Sequence, residues 1–437
     1  MARERQLTFG KYGHMLNRRQ AISPDGQWAI YDTRNDDSHI ARTDGIEMVH
    51  LDSGEILSIY RTQIQSPYGP GVGAAAFHPI ENQVVFIHGL DSCSIQKPYS
   101  AARRFGALVH VAIPGEYLHA EARTGLNTDG SRLRARGVLS GGTHAHSWNH
   151  DGWLSFTYND AWLERTARTD NRVRDLRTVG FMRPGRTPVE GNDGESFSGS
   201  MQSFLAASVC DNARLGSDDI EQAVEECWIG RNGYLDKNGV RKAKALAYQG
   251  AVRNDLAELI HEVFVCDISI DGKQNFETNS STEVTPSQLL EAASGCHQRR
   301  LTHTTSRKFP GVQGVRNWLV SSPDGKHLYA PMRDDNGIVQ IHRIETLSGH
   351  IDQITQWEHS VEGQILLNSA GTVCSCICDQ RVCLTHVTTG KSIWLTNRTE
   401  HPLIGAVHFV GEHRIAYNRM VGGTTEGYAQ VFVCELE

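Results

Sequence analysis

His144 and His146 stand two apart in the run Gly141-Gly142-Thr143-His144-Ala145-His146, so on an extended strand both imidazoles share one face. Imidazole suits a divalent transition metal, and three or four such ligands around a vacant position make a Lewis-acid centre. His14 is the candidate third ligand, and His88 is a further ligand or a proton acceptor; the metals that come into question are Mn, Ca and Zn. The chain has 21 histidines, so hydrogen-bonding imidazoles lining a wet channel are the competing reading. Arg316, Arg333 and Arg34 carry the planar fork that grips a carboxylate through two hydrogen bonds. Salt bridges to Asp334, Asp335 or Asp32 are their alternative use. Tyr158 serves as an acid or base if its pKa is lowered, and otherwise packs while donating one hydrogen bond.

Other chemistries leave no signature. No Gly-rich phosphate loop leads into a helix, and there is no Gly-x-Ser-x-Gly elbow or paired-cysteine zinc motif. Ser198-Gly199-Ser200 reads as a flexible lead-in to a strand. Cys374, Cys376 and Cys378 alternate along one predicted strand, which suits small buried apolar side chains better than a disulfide or a zinc knuckle.

The elements that position these residues are announced by a repeat. Ser23-Pro24-Asp25-Gly26 returns as Ser322-Pro323-Asp324-Gly325, with worn copies at His78, Asn149, Asn368 and Val410. Pro fixes φ at the first corner of a tight turn and Gly accepts a positive φ at the last. Alternating apolar residues follow each turn, as in Trp28 and Ile30, and read as half-buried strands. The pattern predicts an all-β chain: a seven-bladed β-propeller over residues 1–437, one domain, closed by an N-terminal strand near Arg5–Phe9.

The interval from Asn149 to Ser322 is far longer than the others. Strands at Ser203–Val209, Ala245–Tyr248 and Val263–Ile268 make it a fourth blade with insertions at about 211–244 and 272–298. Ile220, Val224 and Cys227 have helical spacing behind Ser217-Asp218-Asp219, so a short capped helix is expected over Ser217–Trp228. With strands running from axis to rim, the Pro-Asp-Gly turns lie at one end of the ring. At the other end the starts of the inner strands and the ends of the second strands gather His14, His88, His144, His146, Tyr158, Arg34, Arg316 and Arg333 around one mouth.

The 437 residues carry a formal charge of −7, which leaves no basic excess for a nucleic-acid backbone. No run approaches the roughly 20 apolar residues of a membrane span. Met1–Phe9 is polar, without the charged-then-apolar pattern of a secretory leader, so a cytoplasmic location is expected.

The Arg-Gln-Leu-Thr and Ser-Pro-Asp-Gly phrases resemble TolB-like propeller repeats. Gly141–His146, Ser155–Asp160, Gly216-Ser217-Asp218 and Met332–Gln340, in that order, resemble an uncharacterised family of bacterial cytoplasmic propellers. His144-Ala145-His146, with Asp151-Gly152 and Phe156-Thr157, is similar to the His-Pro-His segment of oligogalacturonate lyases, which hold manganese through histidines and a glutamine. That similarity implies His144 and His146 as metal ligands and a small acidic oligosaccharide as substrate, cleaved by β-elimination with Arg316 neutralising the uronate. A propeller that binds a protein or glycan without chemistry, and a hydrolase using the same site, are the alternatives.

Overall fold

The computed structural model describes residues 3–36, 38–126, 136–191, 193–269, 290–314, 316–422 and 427–436. Among the described residues the chain is all-β apart from a short α-helix and short 3-10 turns, and it forms four-stranded antiparallel sheets in chain order. The first sheet is Met15–Leu16, Trp28–Asp32, Gly45–His50 and Ile56–Arg61, and the second Val72–Phe77, Gln83–Gly89, Arg104–His110 and Leu118–His119. The third is Gly141–Trp148, Leu154–Asp160, Arg177–Thr187 and Gly199–Leu205, and the fourth Ala223–Trp228, Ala245–Arg253, Leu259–Ile268 and Cys296–Arg300. Val320–Ser321, His327–Arg333, Val339–Glu345 and Ile351–Gln353 make the fifth. The last strands form one eight-stranded sheet, whose halves meet through a single parallel pair, Gln364 with Ala406. At its edge Glu4–Gln6 pairs antiparallel with Tyr428–Glu435, Arg5 opposite Val433.

The repeated turn is built identically at both full copies. Ser23 Oγ donates to Asp25 Oδ1 at 2.5 Å and accepts from Trp28 N at 2.9 Å, while Asp25 Oδ1 also accepts from Gln27 N at 3.0 Å. Ser322 and Asp324 make the same bonds with His327 N and Lys326 N. Gly26 and Gly325 close the corners at φ 68° and 73°. Each side chain satisfies main-chain N–H groups that the turn would strand, which is why the phrase survives as a unit.

Apolar faces are buried between consecutive sheets. Ile30 and Met48 pack with Val84 and Phe86, and Phe156 and Phe181 with Tyr248 and Phe264. Leu16, Tyr31 and Val49 of the first sheet pack with Val410, Ala416 and Val431 near the C-terminus. Two glutamines tie inner strands together. Gln20 accepts from Trp148 N and donates to Trp148 O, both at 2.9 Å, and Gln364 does the same for Trp318 at 3.0 and 2.9 Å.

The fourth sheet differs from the sequence expectation. Ser217–Trp228 holds no helix: Ala223–Trp228 is the sheet's first strand, and the register shifts between Val224 and Cys227. A bulge lets residues three apart face the same side, so Ile220, Val224 and Cys227 are all buried with a spacing that mimics a helix. Ser203–Val209 does not start this sheet, since Gly199–Leu205 is the outer strand of the third. The extra material before Ala245 is a small hairpin, Tyr234–Leu235 with Arg241–Lys242. Residues 272–289 of the second expected insertion lie outside the described residues, and Cys296–Arg300 beyond them is a strand. The helix lies elsewhere, at Ala161–Ala167, where Asp160 caps it by accepting from Trp162 N and Leu163 N. Cys374, Cys376 and Cys378 are buried thiols. Among the described residues no helix is long and apolar enough to cross a membrane.

Candidate functional site

The inner strands share one backbone device. Register shifts fall at Gly73/Ala76, His144/Ser147, Val224/Cys227, Glu362/Leu366 and Ile404/His408. Within them Ala74, Ala145 and Glu225 take φ of 54°, 58° and 57°, and Gly363 and Gly405 take 77° and 76°. Arg316, ahead of the fifth sheet's first strand, has φ 71°. Glycine adopts this left-handed conformation freely, whereas a residue with a Cβ is held there at a cost of about 1–2 kcal/mol. Of the eight non-glycine residues at positive φ among the described residues, four, Ala74, Ala145, Glu225 and Arg316, line one cavity of about 270 Å³. Strain concentrated at one cavity marks a functional place, most plainly where the side chains are Glu and Arg.

The cavity is cationic. Arg18, Arg34, Arg104, Arg177 and Arg316 line it, with Glu225, His144 and Trp318. Arg34 donates through Nε and Nη2 to the two oxygens of Asp32, at 2.7 and 2.8 Å, so the charges of that pair offset one another. Arg18 donates to the Arg316 carbonyl at 2.7 Å and lies 5.3 Å over the Trp318 ring. Arg177 donates through Nε to Asn159 Oδ1 at 3.0 Å. Arg104 lies 4.8 Å over the Tyr99 ring, and its Nε is buried without a hydrogen-bond partner among the described residues. Glu225 Oε1 accepts from Arg316 N at 2.7 Å.

Burial sets the protonation states. It lowers the pKa of Arg177, and the neighbouring Arg104 lowers it further. His144 is held well below the ordinary histidine range by burial, then by Arg177 and Arg104, so it is a neutral imidazole. Burial pushes Glu225 the other way, above the usual carboxylate range, although the Arg316 N–H and the nearby guanidiniums oppose it. An imidazole and a carboxyl thus line one cavity with their proton affinities displaced in opposite directions, each toward its neutral form.

The expected residues divide. His144, Arg34 and Arg316 line the cavity. His146 does not share its face, because the bulge at Ala145 breaks the alternation; its Nε2 meets Thr143 Oγ1 at 2.9 Å, and that hydroxyl donates to Glu121 at 2.5 Å. Burial lowers the His146 pKa to about 3. His14 does not join them: its Nδ1 is 3.3 Å from Ala429 O, and its ring packs on Tyr12 and Tyr31. His88 is enclosed by Tyr60 Oη at 2.9 Å, Gly89 O at 2.5 Å and the Phe105 ring. Tyr158 is buried with its hydroxyl on Asp160 at 3.1 Å, bracing the helix cap. Arg333 is exposed beside Phe309. His14, His88, His146, Tyr158 and Arg333 are thus not among the residues that line the cavity.

Arg104, Arg177 and Glu225 were not singled out in the sequence. A signal existed for two of them: Arg104 and Arg177 are each the first residue of the third strand of their sheet. Glu225 was hidden by the helical spacing around it.

A divalent cation, implied by the lyase resemblance, does not fit these donors. Among the described residues no three His, Cys, Asp or Glu side chains gather as a ligand group. The two imidazoles that would begin one stand beside Arg104, whose charge disfavours a second cation.

Residues 71–195 match a family described as protein of unknown function (DUF3748). The uncharacterized protein YidR of Escherichia coli (strain K12) is 29% identical over 413 residues, covering 93% of this chain and 92% of that protein. Oligogalacturonate lyase in complex with manganese superposes with a TM-score of 0.52 at 9% identity, over 100% of this chain and 93% of the lyase. Puromycin hydrolase gives 0.52 at 10% identity over 95% of this chain, which spans about half (51%) of that protein's length. At such identities the likeness is one of fold, a propeller-like array of four-stranded sheets.

Proposed function

We propose that the chain is a seven-bladed propeller, closed where Glu4–Gln6 joins Tyr428–Glu435, that binds a small acidic oligosaccharide in the cationic cavity and cleaves it by β-elimination. The observation that carries this reading is the set of guanidiniums around the cavity, which exceeds its carboxylates. Arg34 is paired with Asp32, and of the residues that line the cavity Glu225 alone is a carboxylate, against the guanidiniums of Arg18, Arg104, Arg177 and Arg316. Arg104 and Arg177 repel one another until an anion lies between them.

In the reaction, the uronate carboxylate sits against Arg104 and Arg177. Neutral His144 takes the C5 proton. The C–H electrons pass into the carboxylate, whose second negative charge the guanidiniums stabilise in place of a metal. Those electrons then form the C4–C5 double bond as the C4–O bond breaks, and Glu225, whose proton affinity burial raises, gives a proton to the departing oxygen when it carries one. Water returns the proton from His144 to Glu225, so no oxidant or reductant is consumed. The substrate is a soluble oligosaccharide of the cytoplasm, with no nucleic acid or membrane involved.

One observation favours a second reading. An imidazole held well below its usual pKa is a weak base, which suits a propeller that binds the same acidic glycan, or a protein carrying it, without chemistry. Incubation with oligogalacturonates and oligoguluronates separates the two. A rising ultraviolet absorbance from a conjugated unsaturated product, lost in His144→Ala while binding remains, supports elimination. Binding without product supports the second reading, new reducing ends without absorbance point to hydrolysis, and no binding of either oligosaccharide overturns the acidic-glycan reading.

A further inference from the structure

The end of the molecule that carries the Ser-Pro-Asp-Gly turns holds a second cavity, of about 320 Å³, whose chemistry is one-sided. Arg19, Arg231, His150 and Asn149 line it, and no Asp or Glu side chain does. Arg19 Nη2 is buried and makes no hydrogen bond among the described residues. Arg231 gives one nitrogen to Ser369 O at 2.6 Å, and its charge bears on His150. Asn149 commits its Oδ1 to the N–H groups of Asp151 and Trp153, at 2.8 and 2.9 Å, so its NH2 is what remains for a ligand. The rest of the wall is apolar, with Trp228 and Leu319 prominent.

Donors and positive charge without a lining carboxylate are an unusual surface on a chain of net charge −7. Such a lining complements an anion, and the apolar wall complements a body behind the charge. We propose that this cavity is a second ligand site, for a small carboxylate with an aromatic or short aliphatic body. The carboxylate lies between Arg19 and Arg231 and accepts from Asn149, while the body rests on Trp228 and Leu319. The two cavities share no lining residue, although Arg19 of the second lies 5.5 Å over the Trp318 ring of the first.

Benzoate and its neutral isostere benzamide, titrated into the full chain, test this by saturation transfer to the ring protons and by tryptophan fluorescence. Benzoate is expected to bind at least about tenfold more tightly than benzamide, and Arg231→Gln and His150→Gln are each expected to weaken it about threefold to tenfold. Both residues are exposed, so the fold tolerates the changes. Arg177→Gln, in the first cavity, leaves benzoate binding unchanged. The proposal is overturned by no transfer to benzoate at millimolar concentration, by equal binding of the two probes, by indifference to both substitutions, or by binding lost in Arg177→Gln.

Discussion

Ala74→Gly and Ala145→Gly should make the protein more stable, although glycine in a strand ordinarily does the opposite. Both alanines sit in left-handed bulges at φ 54° and 58°, and both are only half-buried, so removing a methyl group takes little from the core. Relief of the left-handed conformation returns about 1–2 kcal/mol per site, and the greater freedom of glycine in the unfolded chain takes back about 0.5–1. The net gain is about 0.5–1 kcal/mol each, or about 1–2 kcal/mol for the pair if the two bulges act independently. Urea unfolding followed by tryptophan fluorescence reads this as a higher midpoint at unchanged slope. A midpoint that falls, or does not move in the double variant, would refute the argument that these bulges store strain. Arg316→Gly extends the test to function. It relieves the same conformation at φ 71° and keeps the N–H that Glu225 accepts, so the fold holds. Affinity for an acidic oligosaccharide should nevertheless fall about tenfold or more with the guanidinium.

Arg104→Gln and Arg177→Gln should each weaken that oligosaccharide by about tenfold to a hundredfold while leaving the apo fold as stable or more so, since each removes one of two mutually repelling charges; isothermal titration with parallel melting curves reads both. Asp160→Ala removes a helix cap and the acceptor of the Tyr158 hydroxyl, and should lower unfolding stability by about 1–2 kcal/mol in urea. Stability should also fall as pH drops below about 6.5. His14 and His408 are held near 4 and His146 near 3 by burial, so the unfolded chain takes up protons first and the loss continues down to those values. Buried Glu121 and Glu226, raised to about 7, act oppositely: their contribution is full below the ordinary carboxylate range and is lost as pH rises through 7. Glu226→Gln should therefore gain stability at pH 8 and little at pH 5, which paired melting curves measure.

The turns and most strands were legible in the sequence because their logic is local. Ser23, Asp25 and Gly26 form their hydrogen bonds within six residues, and Trp28 and Ile30 alternate as any half-buried strand does. The bulge was not legible, and two misreadings share that cause. It gave Val224 and Cys227 the spacing of a helix, and it turned His146 away from the face of His144. A single left-handed residue inverts every inference that rests on period two, and an alanine or glutamate in that conformation carries no mark in the sequence. His144 was found through its spacing from His146, and Arg316 through its place at the entrance to an inner strand. Arg104 and Arg177 sit on third strands, where a cation reads as ordinary surface until the sheets are assembled.

If the first cavity holds an oligosaccharide, the glutamine clamps on Trp148 and Trp318 bear on the length it can accept. Arg18 and Trp318 line one cavity, while their immediate neighbours Arg19 and Leu319 line the other, so the wall between the two is a single residue step thick along both segments. The clamps hold the main chain of Trp148 and Trp318 through two hydrogen bonds each from the Gln20 and Gln364 side chains. The first cavity is therefore a cup and not a tunnel. On the proposed function, products would leave by the mouth through which substrate came, and a chain end or a short fragment, not a threaded polymer, would reach His144.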